Sequence, residues 1–159
     1  MMNLYLVRHG DAVSESVDPS RPLSDDGMHD VAEIAAFMMA AGVSVDEIWY
    51  STKLRAKQTA ELLAEAVPYN NIIERQGLAP NNEVELIASE IEALQENVML
   101  VGHLPFLESL ASYLLTGSTD KQVIDFEQGG VVCLKKFDAG WSITWMMLPE
   151  FISHCVEEV

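Results

Sequence analysis

Three short runs along the chain are apolar at nearly every position and rich in strand formers: Leu4 to Val7, Ile48 to Tyr50, and Val98 to Val101. Runs of this length, bounded by polar residues, predict strands buried on both faces of a parallel sheet. Between them the apolar period becomes helical. Ser24-Asp25-Asp26-Gly27 opens a helix, with Ser24 as N-cap and the aspartates at the positive end of the dipole. Val31, Ile34, Ala35 and Met38 then fall on one face, Met38 and Met39 reading as core filler, and Gly42 marks the stop. A second helix starts at Lys53 and is closed by Pro68. A short third strand, suited to a sheet edge, covers Asn71 to Glu74. A third helix runs from Glu83 to Leu94 with Val84, Ile87, Ile91 and Leu94 on one face, and a fourth follows Pro105 with Leu107, Leu110, Ala111 and Leu114 as its stripe. From Val123 the pattern turns to β: Gly130 to Phe137 and Trp141 to Leu148 flank Asp138-Ala139-Gly140 and predict a hairpin, in which Ile143, Trp145 and Met147 alternate with Thr144 and Met146 so that one face is more buried. The last ten residues are acidic and carry no clear pattern. The order predicts an α/β fold, a three-layer sandwich with a mostly parallel central sheet, helices on both faces and a C-terminal β-hairpin.

Length and composition narrow the class. At 159 residues with 49% apolar content, the chain predicts one domain, residues 1–159, with a sizeable core. The formal net charge of −16 argues against nucleic acid and against an anionic membrane as partners, since both are polyanions. An anion site must then be a local cationic pocket in an acidic molecule. The two cysteines, Cys133 and Cys155, lack metal-ligand spacing. Free thiols in a reducing compartment are the plainer reading, a disulfide the other. No signal peptide is evident and no apolar run reaches the ~20 residues of a membrane span, so a cytoplasmic protein is expected.

The candidate chemistry sits at strand ends, where open α/β sheets build their sites. Arg8-His9-Gly10 follows the first run directly. Arg8 offers a planar fork of donors for phosphate or carboxylate, and His9 is suited to act as a base, a metal ligand or a nucleophile. Gly10 permits a sharp turn or the close approach of a ligand. Arg55 lies in the first turn of the second helix with Lys53 and Lys57, at the end where cations are disfavoured and where a bound anion would explain them. The fourth clear strand ends in Gly102-His103-Leu104-Pro105, a second histidine at a strand–helix junction. His29 and His154 read as surface histidines. No metal-ligand set, Walker loop or dinucleotide fingerprint is present, so neither metal nor cofactor is expected. Two arginines suit a phosphoryl group, a neutral histidine can attack phosphorus through nitrogen, and a second histidine can bond the equatorial oxygens.

With these residues in place, the chain resembles the histidine phosphatase superfamily, the phosphoglycerate mutase-like phosphatases. Three motifs carry the resemblance in this order: Leu6-Val7-Arg8-His9-Gly10, Ser51-Thr52-Lys53-Leu54-Arg55-Ala56-Lys57-Gln58-Thr59-Ala60, and Leu100-Val101-Gly102-His103. Arg21-Pro22-Leu23-Ser24 before the first helix adds to them. The resemblance implies that His9 is the phosphorylated nucleophile, that Arg8 and Arg55 clamp the phosphate with Gly10 beside them, and that His103 is the second phosphate-pocket histidine. Within the superfamily the chain looks most like the small phosphohistidine phosphatases of the SixA type, which share Arg-His-Gly-Asp-Ala, here Arg8 to Ala12, and have little room for a lid. They also share a Ser-His-Leu-Pro-like motif, matched by Gly102-His103-Leu104-Pro105 except for Gly102 in place of Ser.

One departure concerns the proton donor. Many phosphoesterases of the superfamily carry an acid after the second helix, but this loop reads Leu78-Ala79-Pro80-Asn81-Asn82-Glu83. Asp18 and Glu83 are the candidate acids. The resemblance implies a metal-independent hydrolase in signal transduction, acting on a phosphohistidine-bearing phosphocarrier or phosphotransfer protein and releasing inorganic phosphate. The alternatives are a small-molecule phosphomonoesterase or mutase of the same superfamily, and a phosphoprotein-binding module without turnover.

Overall fold

In the computed structural model, residues 2–152 are described. The elements run β1 (Asn3–Arg8), α1 (Asp25–Ala40), β2 (Glu47–Ser51), α2 (Leu54–Ala64), β3 (Asn71–Arg75), α3 (Glu85–Ala93), β4 (Val98–Gly102), α4 (Phe106–Thr116), β5 (Val131–Phe137) and β6 (Gly140–Met147). The six strands form one sheet in the order β3-β2-β4-β1-β5-β6. The first four are mutually parallel, whereas β5 is antiparallel to β1 and β6 is antiparallel to β5.

The apolar runs explain the layering. In β1, Leu4 and Leu6 face one side and Tyr5 and Val7 the other; Val98 and Leu100 of β4 alternate likewise with Met99 and Val101. A strand covered on both faces needs apolar residues at both parities. One face packs under α3 and α4, through Ile87, Ile91, Phe106, Leu107 and Leu110. The other packs under α1 and α2, through Val31, Ile34, Met38, Ala56, Ala60 and Leu63. The expected sandwich, its mostly parallel sheet and its C-terminal hairpin are therefore present. β3 is an edge strand.

Two local details differ from the sequence pattern. The hairpin register slips between Cys133 and Leu134, which pair with Trp145 and Ile143 and leave Thr144 as a bulge. The bulge reverses the parity of the strand. Trp141 is buried on the α4 face while Trp145 packs on the α1 face against Tyr5 and Phe37, and Ile143 is 44% exposed. Ile143, Trp145 and Met147 thus do not share one buried face. Lys53, where the pattern starts the second helix, is instead the N-cap of α2 and makes no side-chain capping bond.

His29 is exposed and pairs with Glu33 at 3.0 Å. Cys133 is a buried thiol. The readings of His154 and Cys155 fall outside the described residues, as does most of the acidic C-terminal stretch. Among the described residues no helix is long and apolar enough to cross a membrane.

The topology fixes where a site can form. β1 and β4 are neighbours, with Arg8 and Gly102 as Cα partners at their carboxyl ends. The chain leaves β1 for a helix on one face and leaves β4 for a helix on the other. Diverging exits of this kind open a crevice at the carboxyl edge of the sheet.

Candidate active site

Arg8, His9, His103 and Arg55 meet at that crevice. His9 N–H donates to the Gly102 carbonyl at 3.1 Å, which prolongs the β1–β4 ladder one residue beyond the strands. The two imidazoles lie with ring centroids 5.0 Å apart, and both histidines are buried. Arg8 is held from the other side, where its Nη1 donates to the Phe126 carbonyl at 2.9 Å.

The turn after β1 is tightly built. A Cβ on Gly10 would lie 2.8 Å from Val31 Cγ2 and 3.0 Å from the Gly27 carbonyl, so only glycine fits against α1 there. Gly27 is pressed closer still, since a Cβ on it would fall 2.1 Å from the Asp11 carbonyl. Ser24 Oγ accepts from Gly27 N at 3.0 Å and donates to Asp11 Oδ2 at 2.7 Å, binding the α1 N-terminus to the same turn. The loop from Ala12 to Leu23 closes on itself through the Ala12–Leu23 bridge and the Val13 N to Pro22 O bond of 2.9 Å. Gln58 of α2 accepts from Leu23 N at 2.7 Å and so ties this loop to the helix that carries Arg55.

Donor accounting sets the state of each histidine. His9 Nδ1 lies 2.7 Å from the Gly10 carbonyl, which can only accept, so Nδ1 carries the proton and Nε2 keeps its lone pair. Burial, and then the charges of Arg55, Arg8 and Arg21, lower the His9 pKa from 6.5 to about 4. Burial, His9 and the cations Arg55, Lys53 and Arg21 lower that of His103 to about 3. Both rings are neutral near pH 7.

The cations here are unusual in having no ion-pair partner among the described residues. The chain carries 25 Asp and Glu against 9 Lys and Arg, yet Arg8, Arg21, Lys53 and Arg55 belong to none of the ion pairs among the described residues, His29–Glu33, Arg75–Glu90 and Lys136–Glu92. Burial and Arg21 lower the pKa of Arg55. Arg8 Nε, Arg55 Nε and His103 Nδ1 are buried without a hydrogen-bond partner among the described residues. Buried donors in a native protein are almost always paired, and three orphans at one point call for an acceptor-rich anion. No group of three or more His, Cys, Asp or Glu side chains that could hold a metal ion exists among the described residues.

Of the candidate acids, neither makes a hydrogen bond or ion pair with these four residues. Asp18 accepts from Ser20 N at 2.9 Å and from Ser20 Oγ at 2.7 Å. These bonds lower its pKa and keep it ionised. Glu83 is exposed, ahead of α3. Two residues gain a place that their sequence context did not assign. Arg21 has φ +49, a left-handed conformation that costs a non-glycine residue energy, and its Nε donates to Val13 O at 3.2 Å. Its charge bears on His9, His103 and Arg55 alike. Ser51, buried at the end of β2, bonds His103. The only forward signal for either was membership of a motif, in Arg21-Pro22-Leu23-Ser24 and Ser51 to Ala60.

Comparison with known proteins agrees with this geometry. The family model of the histidine phosphatase superfamily (branch 1) matches residues 4–80, the stretch holding Arg8, His9 and Arg55. An uncharacterized protein of Picosynechococcus is 32% identical over 143 residues, covering 84% of this chain and 85% of its own. The chain belongs to the histidine phosphatase superfamily. It is a phosphatase by that membership. The phosphohistidine phosphatase SixA of Escherichia coli K12 is 26% identical over 155 residues, covering 93% of this chain and 94% of its own. In fold, a protein histidine phosphatase SixA solved with tungstate superposes with a TM-score of 0.84 at 23% identity, covering 95% of this chain and 99% of that one.

Proposed function

We propose that the protein is a phosphohistidine phosphatase that takes its phosphoryl group from a histidine of another protein. The observation that carries the reading is the set of buried, unpartnered donors, Arg8 Nε, Arg55 Nε and His103 Nδ1, around a neutral His9 whose Nε2 is free. Such a set fits a tetrahedral oxyanion and its trigonal transition state, whose charge lies on the equatorial oxygens. A structural relative that binds tungstate, a tetrahedral oxyanion, supports it further.

In the first step His9 Nε2 attacks phosphorus, the P–N bond to the substrate imidazole breaks with its electron pair left on that nitrogen, and the ring takes its proton from solvent so that it departs as neutral imidazole. In the second, water attacks phospho-His9, inorganic phosphate leaves, and His9 regains its lone pair. Arg8 and Arg55 hold the oxygens through both steps, and His103 donates from Nδ1. Among the described residues no carboxyl acid is bonded to the site, which favours this substrate over an alkyl phosphate. An imidazole leaving group is readily protonated near neutral pH, with a conjugate-acid pKa of ~6.5, whereas an alkoxide needs a positioned acid. The same reading makes one domain of residues 1–159, acting in the cytoplasm on a phosphocarrier or phosphotransfer protein without a metal.

Rapid quench with a labelled phosphohistidine protein tests it. Wild-type enzyme should accumulate acid-labile, alkali-stable label, and His9→Ala should accumulate none while remaining folded. Label retained by His9→Ala would refute the assignment of the nucleophile.

A further inference from the structure

His103 can serve an anion in only one of its neutral tautomers. With the proton on Nδ1 it presents a donor to the pocket; with the proton on Nε2 it presents a lone pair that repels phosphate. The structure contains a device that makes this choice. Ser51 ends β2, the strand that pairs with β4, and His103 follows β4 directly. The two side chains meet below the pocket, each 1% exposed, with Ser51 Oγ 2.5 Å from His103 Nε2. Ser51 Oγ also accepts from the Lys53 backbone N–H at 3.3 Å.

The proton count is decisive. The serine hydroxyl has one hydrogen, and among the described residues no acceptor other than His103 Nε2 is bonded to it. If Nε2 carried the proton, the oxygen would receive two donors, its own hydrogen would be buried without an acceptor, and Nδ1 would turn a bare lone pair into the anion site. If Ser51 donates to Nε2, every group is satisfied except Nδ1–H, which is the buried orphan that the phosphoryl group would meet. The cost of an unpaired buried hydroxyl favours the second arrangement.

We propose that Ser51 is a positioning residue that fixes His103 in its Nδ1–H tautomer and so makes it a donor to the transferring phosphoryl group. The inference rests on the phosphatase reading of the site only for its kinetic consequence; the tautomer is a property of the free protein. The two histidines thus share a tautomer and use it oppositely. In His9 the Nδ1 proton is spent on Gly10 O and Nε2 is the reactive atom. In His103 Nε2 is spent on Ser51 and Nδ1 is the reactive atom.

The test joins spectroscopy and kinetics on the full chain. In ¹⁵N-labelled wild-type protein, long-range ¹H–¹⁵N correlation should show His103 with a pyrrole-like Nδ1 and a pyridine-like Nε2, and inorganic phosphate should shift Nδ1. Ser51→Ala should mix or invert that pattern and lower kcat on the order of 10- to 100-fold, the loss typical when the hydrogen-bond partner that fixes the tautomer of a metal-ligating histidine is removed. KM for the phosphoprotein should change far less. Ser51→Thr, which keeps the hydroxyl, should restore both tautomer and kcat. A pyridine-like Nδ1 in the wild-type protein would overturn the proposal, and so would a Ser51→Ala variant with unchanged kcat. If wild type proved inactive on phosphohistidine protein, the phosphatase reading would fall while the tautomer spectrum still decided the role of Ser51.

Discussion

Thr59 Oγ1 accepts from the Gly10 backbone N–H at 3.1 Å and donates to the Arg55 carbonyl at 2.8 Å. One buried hydroxyl thereby couples the turn that follows His9 to the helix turn that bears Arg55. The relationship explains why a threonine sits one helical turn after the arginine, where a β-branched residue has no propensity advantage. Because Thr59 is fully buried, no water can replace it.

Thr59→Val keeps the shape and removes the acceptor, so the Gly10 N–H is left buried and unpaired. Unfolding in urea should show a loss of about 1–3 kcal/mol. Turnover should fall too, because nucleophile and clamp lose their common anchor, while Thr59→Ser should keep most of both. An unaltered Thr59→Val enzyme would show that the two motifs are registered by packing alone.

The lowered histidine pKa values set the behaviour in acid. His9 titrates at about 4 in the folded protein against 6.5 when unfolded, and His103 at about 3. Between the unfolded and folded values the unfolded chain binds protons that the native state refuses. The stability these groups allow is complete above pH 6.5 and is lost progressively as pH falls toward about 4 and then about 3. An NMR titration of the anion-free enzyme should place the His9 ring midpoint near 4. Arg21→Gln removes a repelling cation and should move it upward. A midpoint of 6.5 would mean that the pocket is wetter than its burial indicates.

The unpaired cations should bind oxyanions in spite of the net charge of −16. Calorimetry should detect inorganic phosphate or vanadate, and Arg55→Ala should weaken it on the order of 10- to 100-fold, as expected for one or two charged hydrogen bonds. Turnover should survive EDTA, because Arg8 and Arg55 supply the charge that a metal would otherwise provide. Loss of activity on chelation, with recovery on adding Mg²⁺, would contradict this.

Much of the fold was legible because both-face burial leaves an unambiguous mark. Leu4 to Val7 and Val98 to Val101 are apolar at every position, and the core stripes of α1 and α4 keep strict helical spacing. In the hairpin, Trp145 and Met147 keep the more buried face while Ile143 leaves it, because a bulge at Thr144 changes parity without changing composition. In the site, the positions of Arg8, His9, Arg55 and His103 followed from strand ends and motif order. Ser51 and Arg21 did not, since their importance lies in pairings across the fold. Ser51 meets His103 only because β2 lies beside β4, and the charge of Arg21 bears on three site groups from a loop that is tied back to Val13.

The central claim is the substrate class, and one comparison tests it most directly. kcat/KM should be measured for a phosphohistidine phosphocarrier or phosphotransfer domain, an aryl phosphate and an alkyl phosphate under the same conditions. With no carboxyl acid bonded to Arg8, His9, Arg55 or His103 among the described residues, the rate should track the leaving group. The phosphohistidine protein should be best, the aryl phosphate slower and the alkyl phosphate slowest. An alkyl phosphate turned over as fast as the phosphohistidine protein would contradict the account and establish a phosphomonoesterase with a proton donor of its own.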